Sequence, residues 1–350
     1  MLKRTVLYPE HKAANAKMVG FSGWEMPVSY RGILEEHQAV RQYAGVFDVS
    51  HMGVIDFAGE QVLEMLQHLT VNDVESLAIN QSQYTMMLDE SGQVLDDMIL
   101  TRLQNMYRLV VNCGNTQKIL SWLHTHQPKF SVHFTLREEI NILALQGPSS
   151  KRILESLMDT TLAVRPFGIS FGQLLGEPVM VSHTGYTGEN GYELFVRRDK
   201  VAHFWKAFLR SGASPIGLGA RDTLRIEAGL PLYGQEIVEG VTPFDLGYGW
   251  IVKFSKPEFI GRSVLENASR KRRLFGMLLQ EKVIARHGMP VPGYGTVTSG
   301  TFSPTLGKSI AMFMADPPPE DSQQITVEIR GKEYVADVTK LPFITRTIKG

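Results

Sequence analysis

The sequence predicts an α+β protein that ends in a small all-β unit. Three observations lead there. Helical periodicities and strand pairs occur in local groups, without the regular alternation that builds a parallel sheet. An antiparallel meander is legible across residues 82–112. Beyond about residue 265 the helical patterns give way to short β-rich stretches punctuated by Gly, Pro and Ser. At 350 residues the chain is long enough for two or three domains and a large core.

Residues 33–44 place Ile33, Val40 and Tyr43 on one side of a helix that stops at Gly45, read as a C′ glycine. Residues 61–69 carry Leu63, Leu66 and Leu69 at helical spacing. The meander follows: strand 82–88, the turn Asp89-Glu90-Ser91-Gly92, strand 94–102, a short turn at Gln104-Asn105 and strand 106–112. Asn115 is placed to cap a helix that turns Ile119, Trp122 and Leu123 inward. Asp199 is placed to cap another that turns Phe204, Trp205 and Phe208 inward before Gly212. The run Arg270-Lys271-Arg272-Arg273 reads as a solvated linker, with a docking patch for an acidic partner as the alternative. From there on, including loop 316–321, the texture is that of a small barrel or sandwich.

Composition narrows the function. Lys plus Arg and Asp plus Glu number 36 each, so no global field draws in nucleic acid or an anionic membrane. The single cysteine, Cys113, excludes an internal disulfide framework and a cysteine-rich zinc site, as a reducing cytoplasm would require. Residues 1–10 lack the apolar stretch of a signal peptide, and no apolar run approaches the ~18 residues of a membrane span. A cytoplasmic protein is expected. His124 and His126 would diverge on a helix and no His-x-x-x-His pair occurs, so no metal site is expected either. Gly217-Leu218-Gly219-Ala220 lacks the third glycine of a dinucleotide loop, and neither a phosphate loop nor a Gly-x-Ser-x-Gly elbow is present.

Three segments carry groups suited to chemistry. In residues 184–193, Gly185, Gly188 and Gly191 recur at every third position around Tyr186, and the segment ends on Tyr192-Glu193. Such glycines permit positive φ and close approach of backbone to a ligand, tyrosine offers an aromatic face, and Glu193 can accept two parallel N–H bonds from an amidine-like edge. The plainer reading is a turn feeding strand 192–196. Second, Asp96 and Asp97 interrupt an apolar strand in which aspartate is unfavourable. Neighbours on a strand face opposite ways, so one lines a cavity or is buried while the other reaches water or a cation such as Arg102, and Asp97 is the less obviously paired. Third, Arg221 and Arg225 share a helix face, with Asp222 and Glu227 near enough to help satisfy them. Either they form structural ion pairs, or an arginine near the helix start holds a ligand carbonyl or anion.

Taken in order, a set of motifs resembles the aminomethyltransferase (T-protein) family of the glycine cleavage system. They are Phe21-Ser22-Gly23-Trp24-Glu25-Met26-Pro27-Val28, Gly45-Val46-Phe47-Asp48-Val49-Ser50-His51-Met52-Gly53, Asn72-Asp73-Val74, Gln83-Tyr84-Thr85, Leu95-Asp96-Asp97, Val111-Asn112, Leu145-Gln146-Gly147-Pro148, residues 185–193, residues 217–229, Tyr233-Gly234-Gln235 and residues 298–306. Together they span nearly the whole chain. The resemblance implies a folate-binding α+β region over residues 1–265, made of two interleaved subdomains (about 1–50 with 138–265, and 51–137). A C-terminal β-barrel over 266–350 completes an arrangement around a central opening. It also implies a reaction in which the aminomethyl group on a dihydrolipoyl sulfur of the H-protein passes to tetrahydrofolate, with release of ammonia. Expelling a thiolate from an N–CH2–S carbon leaves an iminium-like cation, which a folate nitrogen held within reach can attack; a positioned carboxylate suits such a step.

By the same resemblance Asp97 is the catalytic aspartate, orienting the folate nitrogens. Glu193 pairs with the pterin amide edge, Tyr84 and Tyr186 pack on or bond to the ring system, Arg221 supports the pterin or Glu193, and Asn112 lines the same cavity. One departure is Thr101, where some members carry an aromatic residue four positions after the aspartate. Two rivals remain: a folate-dependent demethylase on the same fold, and a folate-binding factor without transferase activity. The latter group carries Lys-Gly-Cys-Tyr-x-Gly-Gln-Glu where this chain has Leu230-Pro231-Leu232-Tyr233-Gly234-Gln235-Glu236, and the missing cysteine argues against it.

Overall fold

The strand Ile140–Gln146 is an apolar run without alternation, and such a strand needs cover on both faces. The computed structural model, which describes residues 1–268, 272–345 and 347, provides it. Leu143 and Leu145 pack with Phe204, Trp205 and Phe208 of helix Val201–Arg210. Ile142 and Ala144 face the other way, onto Val40, Phe47, Phe195 and Leu224. The strand sits in a six-stranded sheet ordered Ile169–Leu174, Glu177–Ser182, Gly191–Arg197, Ile140–Gln146, Gly45–Asp48 and Ser214–Pro215. Its neighbours run antiparallel except for the last, short parallel pair.

A second sheet holds the predicted meander. Gln81–Leu88, Val94–Arg102 and Tyr107–Val111 pair antiparallel in sequence order, and Gly53–Ala58 and His133–Leu136 extend them. Helices Val62–Leu69 and Thr116–His126 cover one face, where Met65, Leu66, Ile119 and Leu123 meet Ile55, Phe57, Met98 and Leu100. Leu63 and Trp122 pack at the margin of this cluster.

The C-terminal unit is a six-stranded antiparallel sheet ordered Pro290–Val291, Gly295–Ser303, Lys308–Ala315, Arg273–Leu279, Lys332–Thr339 and Gln324–Ile329. Its first and last strands also lie side by side, so the sheet curls around a core that includes Met277, Val297, Phe313, Val327 and Val338. Helices grouped beside antiparallel sheets make the chain α+β, as its pattern predicts. Among the described residues no helix is long and apolar enough to cross a membrane.

Several local expectations are corrected. Gly45 is not a helix cap: the helix is Ile33–Gln42, and Gly45 opens the strand Gly45–Asp48. A Cβ there would lie 2.4 Å from Ile216 and 2.6 Å from Val40, so glycine is needed for helix and sheet to approach. Ile33 is exposed while Val40 is buried. Asp199 does not cap its helix, because it pairs with Arg197 in solvent and Lys200 occupies the cap position. Asn115 does occupy the cap position of Thr116–His126, yet its side chain turns away to bond Asp96. Of the basic run, Arg270 and Lys271 lie outside the described residues; Arg272 pairs with Asp245 at 2.7 Å.

Glu227 also departs from expectation. Residues two apart on a helix diverge by about 200°, so Glu227 cannot serve Arg225 from its own helix, Leu218–Glu227. It faces the barrel and helix Ile33–Gln42 instead. Its carboxylate accepts from Arg41 Nη2 (2.9 Å), Ser303 Oγ (2.5 Å) and Thr305 Oγ1 (2.8 Å), with His37 Nε2 at 3.2 Å. Arg225 is satisfied by Asp222 (2.8 Å), Glu236 (2.7 Å) and Ser299 of the barrel (2.7 Å). Two buried polar clusters therefore join the barrel to the α+β region.

Candidate active site

Between the first six-stranded sheet and the five-stranded meander sheet lies a cavity of about 260 Å³. One wall comes from the meander, with Tyr84, Asp97, Ile99 and Val110; the facing wall comes from Ile142, Ala144, Gln146 and Glu193 of the first sheet. Loops at residues 183–189, 230–231 and 248–250 and Arg221 of helix Leu218–Glu227 complete it. All six residues singled out in the sequence, Tyr84, Asp97, Asn112, Tyr186, Glu193 and Arg221, line this one space.

The adjacent aspartates divide as strand alternation requires, but neither meets Arg102, whose guanidinium bonds the Leu77 carbonyl. Asp96 is fully buried behind the wall. It accepts from the Asn112 backbone N–H (3.1 Å), Asn112 Nδ2 (2.8 Å) and Asn115 Nδ2 (2.6 Å). Asp97 faces the cavity, where its carboxylate accepts from Tyr84 Oη (3.0 Å) and Asn112 Nδ2 (2.8 Å). One side-chain amide thus holds both carboxyls. Burial, and then the charge of Asp97, raises the proton affinity of Asp96. Burial likewise raises that of Asp97, against the bonds from Tyr84 and Asn112, which favour its ionised form.

Across the cavity Glu193 Oε2 accepts from Thr184 Oγ1 at 2.5 Å, while Oε1 receives no hydrogen bond among the described residues. Burial raises its proton affinity, offset by Thr184 and by the positive charge of Arg221. Arg221 has no carboxylate within ion-pair distance among the described residues and lies over the Tyr186 ring, 4.7 Å from its centroid. The Tyr186 hydroxyl is already committed to the Pro231 carbonyl. What Tyr186 offers a ligand is ring surface. Thr101 does not line the cavity, because its hydroxyl bonds Ser82 Oγ at 2.8 Å.

The glycines of residues 184–193 work differently from expectation. Only Gly188 has positive φ, at 79°. A Cβ on Gly185 or Gly191 would lie 2.0 or 2.4 Å from the side chain of Gln146, which is buried and bonded to Thr184 O and Thr187 Oγ1. The close approach they permit is to Gln146, which ties the loop to the sheet. Gly191→Ala is therefore expected to destabilise the fold by about 1–3 kcal/mol, read from denaturant unfolding; an unchanged midpoint would show that Gln146 moves aside freely.

Several lining residues carried no separate signal as site residues. Gln146 and Met52 lie inside quoted motifs without being marked out, while Tyr248 and Trp250 lie outside them. Trp250 is 57% exposed at the cavity rim, and an exposed tryptophan two residues from a tyrosine is the cue that could have found it.

The chain matches the GCVT N-terminal domain over residues 7–256 and the glycine cleavage T-protein C-terminal barrel domain over residues 272–344. It is 44% identical to an aminomethyltransferase of Alcanivorax borkumensis, covering 98% of this chain and 97% of that one. The aminomethyltransferase of Bacillus subtilis is 42% identical, over 99% of this chain and all of its own. The solved structure of glycine cleavage system aminomethyltransferase T from Bartonella henselae superposes with a TM-score of 0.93 at 32% identity, covering 99% of each chain. With both domains matched, full-length relatives and the same fold, this chain belongs to the glycine cleavage T-protein family of aminomethyltransferases.

Proposed function

We propose that this protein transfers the methylene carbon of an S-aminomethyl-dihydrolipoyl group, carried by a lipoylated H-protein, to tetrahydrofolate with release of ammonia. Residues 1–265 form the folate-binding region, in which about 1–50 with 138–265 and 51–137 are the two subdomains, and 266–350 form the barrel. The setting is the cytoplasm. Folate supplies the two nitrogens that take up the carbon; one of the two protons they lose ends on sulfur and the other on ammonia.

The observation that carries this reading is the pairing of two carboxylates across one cavity. Asp97, fixed by Tyr84 and Asn112, faces Glu193, whose Oε1 receives no hydrogen bond among the described residues. In this assignment Glu193 accepts the N–H edge of the pterin, a bond strengthened by its charge. Tyr84 and Tyr186 bound the ring, and Arg221 moderates the charge of Glu193. Asp97 orients the reacting nitrogens and stabilises positive charge as the carbon is transferred. The apolar residues Ile99, Val110 and Ile142 line the space and keep water from the reacting carbon.

The reading is tested by measuring ammonia release from aminomethylated H-protein with and without tetrahydrofolate. Strictly folate-dependent release is expected. Equal release in both arms, or none with folate present, would remove the transferase assignment and leave folate binding alone.

A further inference from the structure

Behind the cavity wall stands a second carboxylate to which the reaction assigns no task. Asp96 is 0% exposed, and among the described residues no cation lies within ion-pair distance of it. Burying a carboxyl without a counter-ion is costly. Asp96 shares its face of strand Val94–Arg102 with the buried Met98 and Leu100, where an apolar side chain would carry no such cost. Instead three N–H groups converge on it: the Asn112 backbone N–H (3.1 Å), Asn112 Nδ2 (2.8 Å) and Asn115 Nδ2 (2.6 Å). Asn115 holds the cap position of helix Thr116–His126 yet makes no side-chain cap bond there, so its amide is committed to Asp96. All three contacts are donors and none is an acceptor, which satisfies an ionised carboxylate and gives a protonated one no group to donate to.

We propose that Asp96 is a positioning residue for Asp97, fixing which end of the Asn112 amide faces the Asp97 carboxylate. The inference rests on the catalytic role given to Asp97 above. The two ends of a side-chain amide are nearly alike in shape and opposite in hydrogen-bonding sense, so the surrounding groups decide its orientation. Asn112 Nδ2 lies 2.8 Å from Asp96 Oδ1, 2.8 Å from Asp97 Oδ1 and 3.2 Å from the Asp97 carbonyl oxygen. With Asp96 ionised, turning the amide over would set its carbonyl oxygen against acceptors only. Asp97 borders open space and can swing away from the amide, whereas Asp96, held by three donors, cannot. The donor end is therefore kept toward Asp97, which holds that carboxylate in place and favours its charge. Burial, and then the charge of Asp97, opposes ionisation of Asp96, while the N–H groups of Asn112 and Asn115 favour it. The other titratable or charged groups around Asp97 are Tyr84, Tyr186 and Arg221, and none of them bonds Asp96 among the described residues.

Asp96→Asn removes the charge and gives the buried side chain a donor of its own, so the Asn112 amide is no longer held one way. Turnover at saturating folate is expected to fall at least ~10-fold while the Kd for tetrahydrofolate stays within about two-fold, since misplacing a reacting group costs rate rather than binding. A general loss of structure would lower turnover equally in any background, so the same substitution is made in Asp97→Asn. There it is expected to lower the residual turnover less than about two-fold, because Asp96 acts through the Asp97 charge. The unaltered protein offers a check that needs no variant to fold: carbon-13 NMR of labelled aspartate carboxyls at pH 8, where Asp96 is expected in its ionised form. A protonated Asp96, unchanged turnover in Asp96→Asn, a matching loss of folate affinity, or equal fold-losses in both backgrounds would overturn the positioning role while leaving Asp97 as the catalytic group. Full turnover by Asp97→Asn alone would overturn both.

Discussion

Asp97→Asn is expected to bind tetrahydrofolate with nearly unaltered affinity and to lose at least ~100-fold in turnover, as removal of a charge positioned at a reacting centre does. The substitution is close to isosteric. Its remaining carbonyl oxygen can still accept from Tyr84, so the wall of the cavity keeps its shape. What disappears is the negative charge, and with it one of the two carboxylates that Asn112 bridges. The pH profile provides a second check. Burial raises the proton affinity of Asp97, and the ionised form is the active one, so turnover is expected to rise with pH along an acid limb displaced upward from the ordinary carboxylate range. The Asn variant should lack that limb. Calorimetric titration of folate together with single-turnover ammonia release separates binding from chemistry. Unchanged release by the variant would sink the role assigned to Asp97, and lost folate binding would reassign it to holding the ligand.

Glu227→Ala is expected to destabilise the protein by about 3–5 kcal/mol, because it removes one of the two carboxylates that hold the buried Arg41 and leaves several buried donors without their acceptor. Arg41 is the group most affected. It bonds Glu227 on one side, and on the other its Nη1 donates to Thr187 O (2.7 Å) and Glu189 Oε1 (3.0 Å) in the loop that borders the cavity. The loss should therefore also raise the KM for folate. The pH dependence has a definite sign. Burial pushes the Glu227 carboxyl up, but His37, Ser303 and Arg41 outweigh it and hold it at about 2, below the ordinary 4.5. A carboxyl depressed on folding contributes stability that is fully present above pH 4.5 and is lost as pH falls through 2; the difference corresponds to about 3 kcal/mol. Denaturant unfolding between pH 7 and pH 2 should show this contribution in the unaltered protein and not in the variant. A loss of less than about 1 kcal/mol at pH 7 would mean that the cluster relaxes around the deletion and that Glu227 is not a principal link to the barrel.

Local pattern was enough for much of the architecture. Residues 82–112 alternate and turn as a meander, and they pair as one, because strand period and turn chemistry are properties of adjacent residues. Helix faces were legible where the apolar stripe was strong, as with Ile119 and Leu123. The six residues carried by the family motifs meet at one cavity although they span positions 84 to 221. The resemblance made that prediction possible, since no periodicity links Asp97 with Glu193.

What the sequence by itself determined was the class of fold, the helices and strands with strong period, and the set of polar residues placed where no element needs them. Tertiary structure alone decided which partner each of those residues meets. Gly45, Gly185 and Gly191 read as conformational glycines, yet each makes room for a side chain distant in sequence. Glu227 reads as a partner of its helix neighbours and serves His37, Arg41 and the barrel. His51 lies inside a quoted motif with no role of its own, and the fold buries it edge-on to Phe21 with neither ring nitrogen hydrogen-bonded among the described residues. The physical reason is common to all. Period and propensity act over a few residues, whereas steric exclusion, ion pairing and desolvation act between whatever surfaces the fold brings together.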